Sequence, residues 1–260
     1  MCVGGTLATI ASAVLSARGE GARIGSLTLL NTLVDYSEPG EIGVFVDEGT
    51  IRRIEERMAR RGYLSEAEVS GPFTWMRGNE LVWRYVVSSW YLGRRPPAFD
   101  LLAWNADATR LPAAMHSQFL RTCYLDNLLP TAGAFEIDGT PVDTARIDAP
   151  LYVLGAEADH ITPWRSSYRT TQLVGGEARY TLTTSGHVAG IVRPPGTKRS
   201  AYRVRDDIAP DAEEWRRGAT HVEGSWWDDW AAWAETRFGA RVPAPALPPG
   251  EPAPGSYVAT

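Results

Sequence analysis

Two apolar runs, one ending in an aspartate and the other in a histidine, with a well-marked helix between them, constrain this chain more than any other feature. Leu151-Tyr-Val-Leu154, introduced by Pro150, is uninterrupted in its apolar character and reads as a buried strand. It leads into Gly155-Ala-Glu-Ala-Asp-His-Ile-Thr-Pro-Trp164. A second short run, Tyr180-Thr-Leu-Thr183, leads into Thr183-Thr-Ser-Gly-His-Val-Ala-Gly190. Between them Thr162 is suited to cap a helix, Pro163 to open it, and Gly175 to follow its last turn. Strand, helix and strand in this order predict a βαβ unit with parallel strands whose C-terminal ends share one edge of the sheet. Asp159 and His187 then leave neighbouring strand ends. An acid and a base so placed need only a nucleophile.

The candidate nucleophile is at the start, in Met1-Cys-Val-Gly-Gly-Thr6. This reads as the second half of a nucleophile elbow, Gly-x-Ser/Cys-x-Gly, in which a sharp turn exposes the reactive side chain and the small residue two places on, Gly4, avoids a clash. Thr6 to Arg18 is apolar enough to be a buried helix after the elbow. Nucleophile, acid and histidine follow one another in the order of the α/β-hydrolase triad. The expected fold is therefore α/β, an α/β-hydrolase fold that is partial because strands expected ahead of the elbow are missing.

Composition fits. The chain has 260 residues, of which 44% are hydrophobic, enough for one domain with a sizeable core and a large insertion. A net charge of −5, with no run of Lys or Arg, speaks against nucleic-acid binding. Two cysteines in a chain of this length argue against a disulfide scaffold and for a reducing, cytosolic setting. Leu7 to Ala17 lacks the positive flank of a signal peptide and is too short to span a membrane, so it reads as a buried helix.

Along the chain, Ile24 to Asn31 supplies a strand. Asp47 or Thr50 caps a helix that places Ile51, Ile54 and Met58 on one face and ends at Gly62. Asn79 to Leu92 predicts another, closed by Gly93 and stopped by Pro96-Pro97. Pro112 opens a third, with Met115, Phe119, Cys123 and Tyr124 along an apolar stripe. Cys123 on that stripe reads as packing. Phe135 to Val142 predicts a hairpin turning at Asp138-Gly139. Trp226, Trp230 and Trp233 have core spacing on a helix spanning Ser225 to Glu235, and the Pro- and Gly-rich tail from Pro243 reads as extended or mobile. The division expected is core in 1–40, a mainly helical cap insertion in 41–147, and core again in 148–260.

These residues carry a resemblance. Cys2-Val-Gly-Gly-Thr6, Pro39-Gly-Glu-Ile-Gly-Val-Phe45, Arg77-Gly-Asn-Glu-Leu-Val-Trp83, Trp104-Asn-Ala-Asp-Ala-Thr109, Asp159-His-Ile-Thr-Pro-Trp164, Ser185-Gly-His-Val-Ala-Gly190 and Ala253-Pro-Gly-Ser-Tyr-Val258 run nearly end to end. Through them the chain resembles the C-terminal catalytic part of class I poly(3-hydroxyalkanoate) synthases, as an N-terminally truncated fragment. The resemblance implies an acyltransferase that polymerises (R)-3-hydroxyacyl-CoA thioesters, short ones such as 3-hydroxybutyryl-CoA, into polyester with release of CoA. It implies Cys2 as the acylated nucleophile, His187 as the base and Asp159 as the third member. It also implies a homodimer, a growing polyester chain and granule surface as partners, and a cytoplasmic, granule-associated location. No cofactor and no metal is expected, because the coenzyme A thioester is itself the substrate.

The chemistry favours a cysteine independently. A thiolate attacking a thioester keeps the acyl group activated, and a free thiol, titrating near ~8.5, needs His187 beside it to supply thiolate at neutral pH. The backbone N–H of Val3 is the expected oxyanion donor. Asp159 either orients His187 or helps deprotonate the incoming 3-hydroxyl; both stay open. His160 is a candidate supporting residue beside Asp159, and His116 and His221 read as surface or packing residues. Rival readings are a thioesterase or polyester depolymerase on the same fold, and an inactive granule-binding or dimerisation protein. Without a strand ahead of the elbow, Cys2 is expected to fray, and the chain alone to be inactive and prone to aggregate.

Overall fold

The computed structural model describes residues 1–95, 109–246 and 248–251. The Pro96-Pro97 helix stop, nearly all of the Trp104–Thr109 motif and the Ala253–Val258 motif lie outside the described residues. The chain forms two compact units, Met1–Arg53 with Ser117–Phe238, and Ile54–His116 with Gly239–Thr260.

The first unit is built on a five-stranded sheet of β1 (Leu27–Leu30), β2 (Leu151–Ala156), β3 (Ala178–Thr183), β4 (Ala201–Val204) and β5 (Thr220–Glu223), in that spatial order. β1, β2 and β3 are parallel, with Leu27 opposite Leu151 and Leu151 opposite Ala178. β4 and β5 then add antiparallel strands. The βαβ unit expected from the sequence is present, joined by α2 (Trp164–Leu173); the helix α1 (Cys2–Ala17) precedes β1. All six residues of β2 are buried, as a parallel strand covered on both faces requires. Alternation along it divides the core. Leu151 and Val153 join Leu29, Tyr168, Tyr180 and Trp215 on one side, and Tyr152 and Leu154 meet Trp226 and Trp233 on the other.

The tryptophan helix is α4 (Trp226–Glu235), following α3 (Ala212–Gly218), and its Ser225 cap accepts from the Trp227 N–H. Trp226 and Trp233 are core residues, as their spacing predicts. An ionic contact also ties α4 to the sheet: the carboxylate of Asp229 accepts from the Arg179 guanidinium, from Tyr152 Oη at 2.9 Å and from Thr181 Oγ1 at 3.2 Å. Hydrogen bonds from three donor side chains offset much of the cost of burying that charge.

Several local readings change. The helix after β2 starts at Trp164 with Pro163 as its cap, so Thr162 is not the capping residue. Gly175 is needed for a different reason than helix termination: a Cβ there would run into the carbonyl oxygen of Ala145. The hairpin is as expected, with Glu136–Ile137 paired to Thr140–Pro141 and positive φ at both Asp138 (48°) and Gly139 (65°).

The helix Glu48–Arg61 buries Ile51 and Met58 and ends at Gly62 with φ 82°. In the second unit Ser65 and Glu68 form a reciprocal capping box for the helix Glu66–Met76. The helix expected from Asn79 to Leu92 contains π-helical turns at Asn79–Trp83 and Val86–Tyr91. No helix among the described residues is long and apolar enough to cross a membrane.

Candidate active site

The site is assembled at the C-terminal ends of β1, β2 and β3 and the N-terminus of α1, all within the first unit. Cys2 is the first residue of α1 and has a left-handed backbone, φ 47°, a strained conformation for a residue with a side chain. Cys2 does not hang loose. Its carbonyl accepts from Thr32 Oγ1 at 3.3 Å, and one turn on, Thr6 Oγ1 bonds the Leu33 carbonyl and the Tyr36 hydroxyl, each at 2.8 Å. α1 is not fully buried: Gly5, Thr6, Thr9 and Ala13 face inward, whereas Val3 and Leu7 are 40% exposed. The close approach falls at Gly5, where a Cβ would overlap Thr32, and not at Gly4, which has nothing within 4 Å of that position.

Asp159 follows β2 in a tight turn. Its Oδ1 accepts from the N–H groups of Ile161 at 2.8 Å and Thr162 at 2.9 Å, and its Oδ2 accepts from Thr162 Oγ1 at 2.6 Å and His187 Nδ1 at 2.7 Å. Both oxygens are consumed within the protein, and the side chain has 0% exposure. Burial pushes this carboxyl up, but hydrogen bonds and charge from His187 and the bonds from Thr162 outweigh it and hold the pKa below the usual value. Burial depresses the pKa of His187, yet hydrogen bonding and charge from Asp159, with Cys2 acting in the same direction, raise it to about 9. Nδ1 of the imidazole is thus committed to Asp159.

Tyr36, Phe119 and Tyr124 form an edge-to-face aromatic cluster, with Tyr36 and Tyr124 ring centres 4.6 Å apart. Burial pushes both phenols well up, and the charge of nearby Cys2 adds to it. Cys123, 1% exposed in this cluster, has its thiol raised to about 12 by burial, which is the behaviour of a packing residue. Val3 lies in the first turn of α1, where its N–H has no intrahelical acceptor. His160 is half-buried beside Asp159, with its carbonyl against Gly40. His221 pairs with Glu223 at 3.0 Å on the surface. No group of three or more His, Cys, Asp or Glu that could hold a metal ion occurs among the described residues.

Thr162, Thr32 and Asn31 were not singled out from the sequence as site residues. Asn31 is fully buried with φ 44° and donates from Nδ2 to the His187 carbonyl at 2.5 Å. An Asn closing a strand is the one local signal for it, since Asn tolerates that backbone better than most residues.

A mixed sheet with a parallel β1–β2–β3 core flanked by helices is the architecture of the α/β hydrolase fold family, whose model matches residues 1–194; the chain belongs to that family. Within it, the chain is 44% identical to the poly(3-hydroxyalkanoate) polymerase of Methylorubrum extorquens, over 99% of its own length and 43% of the relative's. It is 41% identical to the poly(3-hydroxyalkanoate) polymerase subunit PhaC of Cupriavidus necator, over 99% of its length and 45% of the relative's. Poly(3-hydroxyalkanoate) polymerase 2 of Ectopseudomonas oleovorans is 40% identical over the whole chain and 47% of its own length. The chain thus spans a little under half the length of these relatives.

Proposed function

We propose that the chain is the part of a poly(3-hydroxyalkanoate) polymerase that carries the acyl-transfer chemistry, an acyltransferase acting on (R)-3-hydroxyacyl-CoA. The observation that supports it is the buried 2.7 Å bond between Asp159 and His187 at the sheet edge where Cys2, held by Thr32, opens α1. His187 takes the thiol proton and the Cys2 thiolate attacks the thioester carbonyl. The tetrahedral oxyanion lies against the N–H of Val3. Collapse breaks the C–S bond to CoA, whose sulfur leaves with the proton from His187, and the acyl group remains on Cys2. The 3-hydroxyl of a second acyl group then attacks that carbonyl; His187 takes its proton and returns it to the departing Cys2 sulfur. An ester bond has formed and the enzyme is restored.

Asp159 acts as the orienting residue for His187, because both its oxygens are already engaged and out of reach of a substrate hydroxyl. His160 supports the same turn. Short-chain acyl groups, a homodimer, a growing polyester chain at a granule surface in the cytoplasm, and an inserted region 41–147 between core segments 1–40 and 148–260 belong to the same proposal. So does inactivity of the 260-residue chain by itself, since the relatives named above are more than twice as long.

The test adds 3-hydroxybutyryl-CoA to the protein extended to the length of its relatives and follows CoA and product. CoA release with polymer is expected. CoA release with monomeric acid would indicate a hydrolase, and silence with retained granule binding a structural protein.

A further inference from the structure

Asn31 immediately follows β1, fully buried, and its backbone N–H donates to the Leu154 carbonyl of β2 at 2.8 Å. Its Nδ2 donates to the main-chain oxygen of His187 at 2.5 Å, so the carboxamide must present its nitrogen there; two oxygens do not approach so closely without a proton between them. The His187 carbonyl has need of that donor. Backbone bonds in this turn run from Gly190 to Gly186 and from Ile191 and Val192 to Val188, passing over His187. The other end of the carboxamide, Oδ1, is buried with no hydrogen-bond partner. A position serving packing alone would be better filled by an apolar side chain, which leaves no such atom stranded.

We propose that Asn31 is a positioning residue for the His187 base: it ties the main chain at His187 to the end of β1, so that the imidazole stays in register with both Asp159 and Cys2. The inference rests on the proton-transfer reading of those three residues. The 2.7 Å bond between His187 Nδ1 and Asp159 Oδ2 tolerates a displacement of well under ~1 Å before it is lost. β3 ends at Thr183, and the segment from there toward His187 is tied by the Ala158 N–H to the Ser185 carbonyl, two residues short of the histidine. Asn31 extends that restraint to His187 itself. Without it the imidazole moves off Asp159 and Cys2, the two titratable side chains that raise its pKa, and the pKa falls back toward 6.5.

The experiment compares the parent with Asn31→Gly, which keeps the left-handed backbone unstrained, and Asn31→Ser, which leaves a smaller cavity. Ring titration of His187, identified in isotope-labelled protein by its loss in His187→Gln, is read by NMR. Alkylation of Cys2 by iodoacetamide is followed against pH by peptide mapping. The expected result is a His187 titration lowered from about 9 toward 6.5, with Cys2 alkylated about 10- to 100-fold more slowly at neutral pH. Titration and alkylation profiles equal to the parent's in a folded variant overturn the proposal. In the unmodified chain the Asn31 amide protons should exchange slowly with water, and fast exchange overturns it too, whether or not a variant folds. If His187→Gln leaves Cys2 alkylation unchanged, the proton-transfer reading itself fails, while the NMR titration still reports whether Asn31 anchors the loop.

Discussion

The hydroxyl of Thr162 stands 2.6 Å from Oδ2 of Asp159 and donates to it. The Thr162 Oγ1 is also 3.3 Å from Nδ1 of His187, so one side chain touches both members of the buried Asp159–His187 pair. Thr162→Val keeps the shape and removes the donor. The expected stability loss is about 1.5–3 kcal/mol, the range for a hydrogen bond to a charged group, measured by urea unfolding. Cys2 alkylation at neutral pH should slow by about tenfold through His187. Unchanged stability would mean that the carboxylate is held by the backbone alone.

In the extended protein, Cys2→Ala and His187→Gln should each abolish the acyl-enzyme, because a nucleophile and its base act as a unit and losing either costs several powers of ten in rate. Cys2→Ser should fold normally and lose most turnover, since a hydroxyl ionises far less readily and an ester intermediate is less activated. CoA release by Cys2→Ala at the parental rate would end the assignment.

The His187 proton links stability to pH. With the imidazole at about 9 in the fold against an ordinary value of 6.5, its stabilising contribution is complete below about 6.5 and is lost as the pH rises through about 9. The contribution is on the order of 3 kcal/mol. Urea midpoints of the parent and His187→Gln at pH 6 and pH ~9.5 read it as a difference that shrinks with rising pH. A difference that grows instead would reverse the sign and refute the linkage.

Gly5→Ala should destabilise by about 1–3 kcal/mol, since the new methyl meets Thr32 at a point where α1 and the chain after β1 are already in contact. Gly4→Ala, with open space around it, should be neutral or stabilise by up to ~1 kcal/mol through helix propensity. Thermal melts of the two variants check the contrast, and equal effects would refute the packing argument.

Native-state alkylation should label Cys2 and spare Cys123, which is 1% exposed with its thiol raised to about 12; both should react in denaturant. Equal native labelling would show that the Tyr36, Phe119 and Tyr124 cluster opens readily.

What the sequence determined was local. Residue periodicity and end signals suffice for the strand, helix and strand from Leu151 to Thr183, because each element is decided within a few residues of chain. Asp138-Gly139 suffices for its turn because both residues tolerate positive φ. The capping box at Ser65 and Glu68 follows the same logic, a Ser with a Glu three residues on. Cys2, Asp159 and His187 stand out through their chain order, a property of the fold's connectivity, and the structure brings Asp159 and His187 into contact. Tertiary structure alone decided the rest. Asn31 reaches His187 across 156 residues, and Thr6 reaches Tyr36 across 30. Thr162 reads as a helix cap until Asp159 turns back onto it. Gly4 and Gly5 look equivalent until Thr32 lies against only one of them. Hydrogen bonds and steric contacts are fixed by distances between atoms, and those distances exist only once the sheet has brought remote segments together.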